Sequence, residues 1–533
     1  VLKALRIVLI VIAVILGVLF FGVMALTNTD WGRERVRRIA LGALAGSVHG
    51  TVRIGAIRGN LLEEIILEDF AITDSAGRPF VSAQRARAQY RVADFLRKRI
   101  DLTSLALERP EVTLSREPGG DSLWNFQHIF PPSGATDTTR GFGSWISIEN
   151  VRLTDGHVTV RLPWSPADTL APAQRDSAIR VALAGETRAH VVEVPNGYQS
   201  VMDFQRIQAA LPRIRLADPD TLVRLFRVGE LRMLAFPFTP PGADIRSLDG
   251  EFLMDADSLW FRNVAAALPG TRLRLSGAYM LESGEVALDA DADPLALADL
   301  RMLYPALPDS GGGSARLRMR YRPEGESDYM VPRAKLALAG GSIEGKIGVA
   351  MASSDGALRL HDTDLRFANV STATIEQFVP GVDIPANGKL GGRTVLAGAL
   401  TDMHVDADVT FDDARDGSSR LIASGNVGTL ESGSGVRMRD LRLRFDPVRV
   451  ALARSVLPDL PVGGTITGTA TLNGSTAARI QAHADLVHRD RGNTSRIAAD
   501  VAYRGGARSW IDASLRAEPL SLATAGRFAP DLE

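Results

Sequence analysis

The most suggestive spacing for chemistry lies at Gly340 to Ile347 (GGSIEGKI), where Gly340, Gly345 and Lys346 match the G-x4-G-K spacing of a phosphate-binding loop. Such a loop needs a Ser or Thr after the lysine to bind Mg2+, and Ile347 holds that place. The flanking residues alternate as strands do and no helix follows, so a nucleotide site is not expected. His483, Asp485 and His488 form the densest histidine group. A spacing of five puts the imidazoles on a common face of neither helix nor strand, and solvated side chains are expected rather than a metal site. Asp412 with Asp413, and Asp289, Asp291 and Asp293, have the residue types for acid–base work or calcium. Acids in such runs more often form the polar face of a strand. Eight scattered histidines offer no Ser/His/Asp arrangement. The expectation is a protein that is not an enzyme and takes no cofactor and no metal.

What must be positioned, then, is surface rather than a reactive group. The 533 residues carry 61 basic against 62 acidic side chains, without a basic stripe, which argues against a nucleic-acid partner. Cysteine is absent, so stability must come from backbone hydrogen bonds and buried apolar area. Ile7 to Leu26 is uncharged, and all but five of its residues are Leu, Ile, Val or Phe. As a helix this run, which includes Leu16 and Phe20, is ~30 Å long and matches a bilayer core. It is longer than a signal-peptide core and lacks a good cleavage site, so an uncleaved anchor is expected. A single N-terminal anchor places residues 27–533 outside the cytoplasm, in the periplasm of a cell with two membranes.

After the anchor, Trp31 to Ala45 has helical spacing, with Arg33, Arg37 and Arg38 turned from its apolar side. From Ser47 the period changes to two, and Gly, Asp and Pro punctuate short segments that read as antiparallel sheet. A turn is expected at Asp74 to Gly77, a short helix around Val92 to Lys98, and loops at 131–143 and 165–176. Strands resume over WISIENVRLTDGHVTVRL and RVALAGETRAHVVEV.

A repeat underlies the second half. DPLALADLRMLYPALP from Asp293, NVSTATIEQFVPGVDIP from Asn369, DPVRVALARSVLPDLP from Asp446 and EPLSLATAGRFAP from Glu518 recur at 76, 77 and 72 residues. A fainter copy carries Pro219. Asp-Pro reads as helix N-cap and N1, so each copy is expected to open a short helix closed by Pro305, Pro380, Pro458 or Pro530. With about five strands per unit each repeat advances ~24 Å, an elongated object. The fourth copy stops at Glu533, which leads to the expectation that further units follow.

The order of motifs in the first 130 residues resembles the N-terminus of the TamB family, within the AsmA-like superfamily. The residues that carry the resemblance are TDWGRERVRRIAL, then GTVRIGAIRGNLLEEIILEDFAITDSAGRPF, ARAQYRVADFLRKRIDLTSLALERPEVTLSRE and DSLWNFQHIF. They hold a G-x-V-x-I-x-x-I-x-G-x-L-L start, a D-x-x-G hairpin, a Y-x-x-x-x-F-L element and a Trp-Asn pair. These mark a shape rather than a catalytic site. The resemblance implies a mainly β fold: a transmembrane helix followed by an elongated, repeat-built antiparallel sheet curled into a groove, with one short helix per repeat of about 75 residues. It implies a bridge-like lipid transfer protein of the inner membrane, passing phospholipid passively to the outer membrane. The alternative within the family is an assembly factor for outer-membrane β-proteins, with an outer-membrane barrel of the TamA type as partner. A structural solenoid is the third reading, and the long period with a helix in each unit argues against it.

The expected boundaries are an anchor at 1–26, a juxtamembrane helix at 27–46 and a β module at 47–130. A linker at 131–143, a groove section at 144–292 with a degenerate repeat from 218, and repeats at 293–368, 369–445, 446–517 and 518–533 follow. Alternation of apolar residues with arginine nominates Leu273, Leu275, Leu317, Met319, Leu336, Leu338, Leu358, Leu360, Leu441 and Leu443 to line the groove and meet acyl chains.

Overall fold

Alternation with a period of two runs through most of the chain, and the computed structural model is accordingly mainly β, with short helices between groups of strands. The structure describes residues 49–97, 99–120, 123–129, 145–167, 170–218, 223–255, 257–353, 356–378, 386–413, 417–430, 435–454, 461–504 and 510–521, with single positions 32, 34, 35, 38, 221, 384 and 415. The expected anchor, with Ile7, Leu16, Phe20 and Leu26, lies outside the described residues, as does the loop at 131–143. Among the described residues no helix is long and apolar enough to cross a membrane. The chain divides into two units, Val1–Pro269 and Gly270–Glu533.

The first unit holds β1 (Gly50–Arg53), β2 (Ala56–Arg58), β3 (Glu64–Asp74), β4 (Pro79–Tyr90), α1 (Val92–Leu96), β5 (Ile100–Glu108), β6 (Glu111–Ser115) and α2 (Asn125–Ile129). Then come β7 (Ile146–Trp164), α3 (Pro172–Leu183), β8 (Val191–Val194), β9 (Gly197–Ala217), β10 (Arg224–Phe236), β11 (Ala243–Met254) and β12 (Ser258–Ala267). Its sheet is not wholly antiparallel as expected. β5 and β6 form two segments of one bent run, broken at Arg109, which has a left-handed φ of 48°, and both pair in parallel with β7. Period-two alternation reports which face is buried but not the direction of the neighbour, so this could not be read from sequence. A second difference is α3, which takes up 172–176 of the expected loop at 165–176 and the start of the strand expected at Arg180, while 165–167, 170 and 171 lie outside helix and strand. Pro172 opens α3, and the Ala171 N–H donates to Gln174 Oε1 at 3.1 Å, an N-terminal device set before an alanine-rich run.

The motifs that carried the family resemblance have structural duties here. The Asp74 carboxylate, 2% exposed, accepts from the backbone N–H of Ala76 and Arg78 at 2.9 and 2.8 Å and from Arg78 Nε at 2.6 Å, closing the β3–β4 turn. Gly77 takes the left-handed φ of 77° that the turn needs. Tyr90 donates its hydroxyl to Leu61 O at 2.6 Å. Asn125, 3% exposed, accepts from Ser115 N and Phe126 N and donates to Thr113 O at 2.6 Å, tying α2 to β6.

The second unit is simpler. Its strands are β13 (Arg272–Met280), β14 (Val286–Ala296), β15 (Gly312–Tyr321), β16 (Glu326–Leu338), β17 (Gly341–Ala352), β18 (Leu358–Ser371) and β19 (Lys389–Ala399). They continue as β20 (Asp402–Asp413), β21 (Gly417–Thr429), β22 (Val436–Arg449), β23 (Thr465–Ser475), β24 (Ile480–Asp490), β25 (Asn493–Arg504) and β26 (Trp510–Ala517). Each pairs antiparallel with the next, an uninterrupted meander. Three helices lie in its connections: α4 (Leu297–Leu300), α5 (Thr372–Phe378) and α6 (Val450–Arg454). Their starts, at 297, 372 and 450, keep the period seen in the sequence, but each helix is followed by four strands rather than about five.

The Asp-Pro pairs do not cap these helices. Pro294 and Pro447 lie inside β14 and β22, at register shifts between Ala292 and Leu295 and between Phe445 and Val448, and the helices begin three residues later. A residue without an N–H suits a bulge where the ladder bond is missing. The corners are closed by backbone instead. The first helical N–H of each, on Leu297, Thr372 and Val450, donates to the carbonyl of Gly311, Gly388 and Gly464 at 3.1, 3.0 and 3.0 Å. A buried hydroxyl marks the same corner in three copies. Thr271 accepts from Ala296 N, Ser419 from Arg449 N and Ser495 from Ser521 N, at 3.0, 2.9 and 3.0 Å. Pro380, Pro458, Pro530 and Pro219 lie outside the described residues.

Candidate functional site

Strand register sorts the side chains of the second unit into two unlike faces. On one face Leu273 sits opposite Ala292, Ala292 opposite Ala315, and Ala315 opposite Ala334. The row continues through Gly345, Leu365, Thr394, Ala407 and Ala423. It ends through Leu443, Ala470, Ala484, Ala499 and Leu515, so it crosses every strand from β13 to β26 with Thr394 as its one hydroxyl. A second row, nearer the helices, runs Leu336, Ile343, Phe367, Gly392, Val409, Leu421, Phe445, Gly468, Leu486 and Ile497. A third, on the far side, joins Met319, Tyr329, Val349, Leu360, Gly398, Met403, Val427, Met438, Gly474 and Ile480. The middle row is mostly alanine and the flanking rows carry larger side chains.

The ten nominated residues all fall on this face. Leu273 and Leu443 are in the middle row, Leu336 in the second, and Met319 and Leu360 in the third. Leu275 meets Leu317 through Ala290, Leu441 lies opposite Leu472, and Leu358 opposite Met351. Their surroundings differ. Leu338, opposite Gly341, is 9% exposed and packs in a buried cluster with Leu297 and Val370; Leu336, Ile343, Phe367, Ile375 and Phe378 lie against it. Leu336 and Leu338 therefore meet helix-capped core at one end of the strands. Leu441 is also buried, at 9%, whereas Leu273, Leu275, Leu317, Met319, Leu360 and Leu443 are half-buried and Leu358 is exposed.

Sequence reading missed two features of the face. The first is the alanine row, which alternation scored on large residues overlooks, although AHADL in β24 and RIAAD in β25 carry it. The second is the facing of Phe367 on Gly392 and of Phe445 on Gly468, at matching places in successive repeats. Gly392 has a φ of 125° and a side chain there would collide with the Asp408 carbonyl, so Phe367 stands opposite a position that carries no side chain of its own.

The opposite face is a ladder of charge. Arg393 grips Asp364 through two bonds of 2.8 Å, and Arg420 grips Asp408 at 2.9 and 2.8 Å. These hydrogen bonds hold both carboxyls below the ordinary aspartate range and push both guanidinium groups up. Asp289 lies near Arg316 and Arg318, and Asp291 near Arg333, as the polar strand face expected of that acidic run. His483 pairs with Asp500 at 2.7 Å on this face. His488 is not solvated as expected: it is 4% exposed on the apolar face and hydrogen-bonded to Gly463 O at 2.7 Å. Because the two imidazoles occupy opposite faces, they cannot share an ion. Among the described residues no group of three metal-ligating side chains converges. The glycine-rich stretch at 340–347 is a turn and the start of β17.

The geometry is that of a surface for contact, apolar on one side and ionic on the other. Comparison with family models, with curated proteins and with solved structures gives no match, so the likeness to the TamB family rests on the motifs quoted above.

Proposed function

We propose that this protein is a membrane-anchored lipid conduit of the periplasm, whose sheet curls into a groove and carries phospholipid passively between inner and outer membranes. The observation that supports the reading most directly is the middle apolar row, continuous over β13–β26 and half-buried along much of its length. Each methylene moved from water onto such a surface gains about 0.8 kcal/mol, which holds an acyl chain against the sheet. Successive positions along the row differ little, and one strand is only ~4.8 Å from the next, so sliding along it crosses small barriers. Alanines between walls of larger side chains leave room for the chain, and the edges of the groove leave a headgroup in water. The energy for net transport would come from a partner or from a lipid gradient.

The test is transfer of a fluorescent phospholipid between donor and acceptor vesicles. Leu317→Asp sets a carboxylate on the apolar path and is expected to slow transfer by about tenfold or more while costing less than ~2 kcal/mol in stability, because the site is only half-buried. Transfer that is unaffected by Leu317→Asp would refute the conduit.

A further inference from the structure

The conduit uses one face of the second unit's sheet, and the opposite face carries a hollow that it leaves idle. This hollow of about 400 Å3 lies over β23–β26, with Asn473, Arg479, Gln481, His483, Asp500 and Asp512 among its lining residues. Register sets Gln481, Ala502 and Asp512 side by side, with Thr471, His483, Asp500 and Ser514 in the adjoining row. Ala502, 8% exposed, is the floor: a methyl group between longer neighbours leaves the space. Trp510 shares this face with Asp512, two residues on along β26. It is 39% exposed, with the Arg479 guanidinium 5.7 Å from its ring centroid.

The composition of the hollow departs from the ladder elsewhere on the same face. At Arg393–Asp364 and Arg420–Asp408 each charge is taken up by its neighbour. Here His483 is paired with Asp500, and an amide pair, two hydroxyls and the Asp512 carboxylate stand with them around Arg479. Amide and carboxylate groups together accept from and donate to vicinal hydroxyls, and an exposed indole offers an apolar platform to the C–H face of a pyranose ring. Two carboxylates against one guanidinium and one imidazole leave no positive excess, which disfavours a phosphate group. We infer that the charged face of β23–β26 binds the sugar rings of an uncharged oligosaccharide, with Trp510 as platform and Gln481, Asp512 and the amide N–H groups of Asn473, whose Oδ1 accepts from Asp440 N at 2.7 Å, as hydrogen-bonding groups.

The experiment is calorimetric titration of the full chain with chitotetraose and with maltohexaose, repeated on Trp510→Ala, Gln481→Ala and, as control, Trp260→Ala, an exposed tryptophan of the first unit. Saturable binding of either sugar is expected, weakened by about tenfold or more in both Trp510→Ala and Gln481→Ala and unchanged in Trp260→Ala. Gln481 lies on the exposed strand face, so its variant keeps the test decisive even where Trp510→Ala fails to fold. Absence of binding by both sugars overturns the inference. Binding that survives Gln481→Ala, or displacement of the sugar by phosphocholine, overturns it equally. Vesicle transfer of phospholipid is expected to be normal in the Gln481→Ala variant, which separates this site from the conduit.

Discussion

In the first unit the chain turns on side chains that occur once: Asp74 at the β3–β4 hairpin, Asn125 between β6 and α2, Gln199 reaching Arg116 O at 2.8 Å. In the second unit the same problem is solved by backbone and by very small groups, repeated with the period of the array. Gly311, Gly388 and Gly464 receive the first helical N–H, and Thr271, Ser419 and Ser495 receive the N–H of Ala296, Arg449 and Ser521. The difference teaches where specificity resides. Unique buried polar side chains define one arrangement of mixed parallel and antiparallel strands, whereas small repeated devices let a meander be extended unit by unit.

Breaking a unique device should therefore cost more, and across more of its unit, than breaking a repeated one. The largest effect is expected for Asn125→Ala, which leaves Thr113 O and two backbone N–H groups without their partner in a buried place. About 3 kcal/mol of stability should be lost in denaturant unfolding of the first unit. Gly392→Ala comes next, at about 2 kcal/mol, since a Cβ must meet the Asp408 carbonyl and a φ of 125° is strained for any other residue. Hydrogen exchange should show that loss confined to β19 and β20 and their neighbours, with β13–β15 still protected. Loss of protection throughout the unit would contradict independent repeats.

Acid probes the hairpin. Burial raises the Asp74 carboxyl, but the backbone and guanidinium of Arg78 lower it further, so its net shift is downward from 3.8. A depressed carboxyl contributes stability above its unfolded pKa and loses it as pH falls through the lower folded value. Wild type should thus lose stability on acidification below pH ~4 that Asp74→Asn, destabilised at neutral pH, does not lose again, as chemical denaturation at pH ~3 and pH ~7 would read. The smallest effect is expected at Arg393→Ala. Its pair with Asp364 is solvent-exposed, and under ~1 kcal/mol should be missing in a thermal unfolding scan.

The sequence carried the period of the array and the apolar alternation of its strands, because both are written in residues that recur. Pro294 and Pro447 misled in detail: proline before a helix reads as N1, but a bulge three residues earlier needs a residue without an N–H just as much. The parallel pairing of β5 and β6 with β7 was illegible, since alternation is blind to strand direction. The helix at Pro172 is signalled by Pro172 and Gln174, but loop-like residues run directly up to it and mask its start. As for the candidate site, alternation put all ten nominated residues on one face. It could not separate Leu338, under the helices, from Leu317, which is half-buried, because burial along a strand depends on what packs above it.

The conduit proposed for this protein requires that the apolar face of β13–β26 hold phospholipid. The most direct measurement is lipid extraction and mass spectrometry on residues 27–533 prepared without the apolar segment, beside the same chain with Leu317→Asp. Phospholipid is expected in the first preparation and markedly less in the second, both equally folded. A folded, lipid-free preparation that also takes up no fluorescent phospholipid would contradict it.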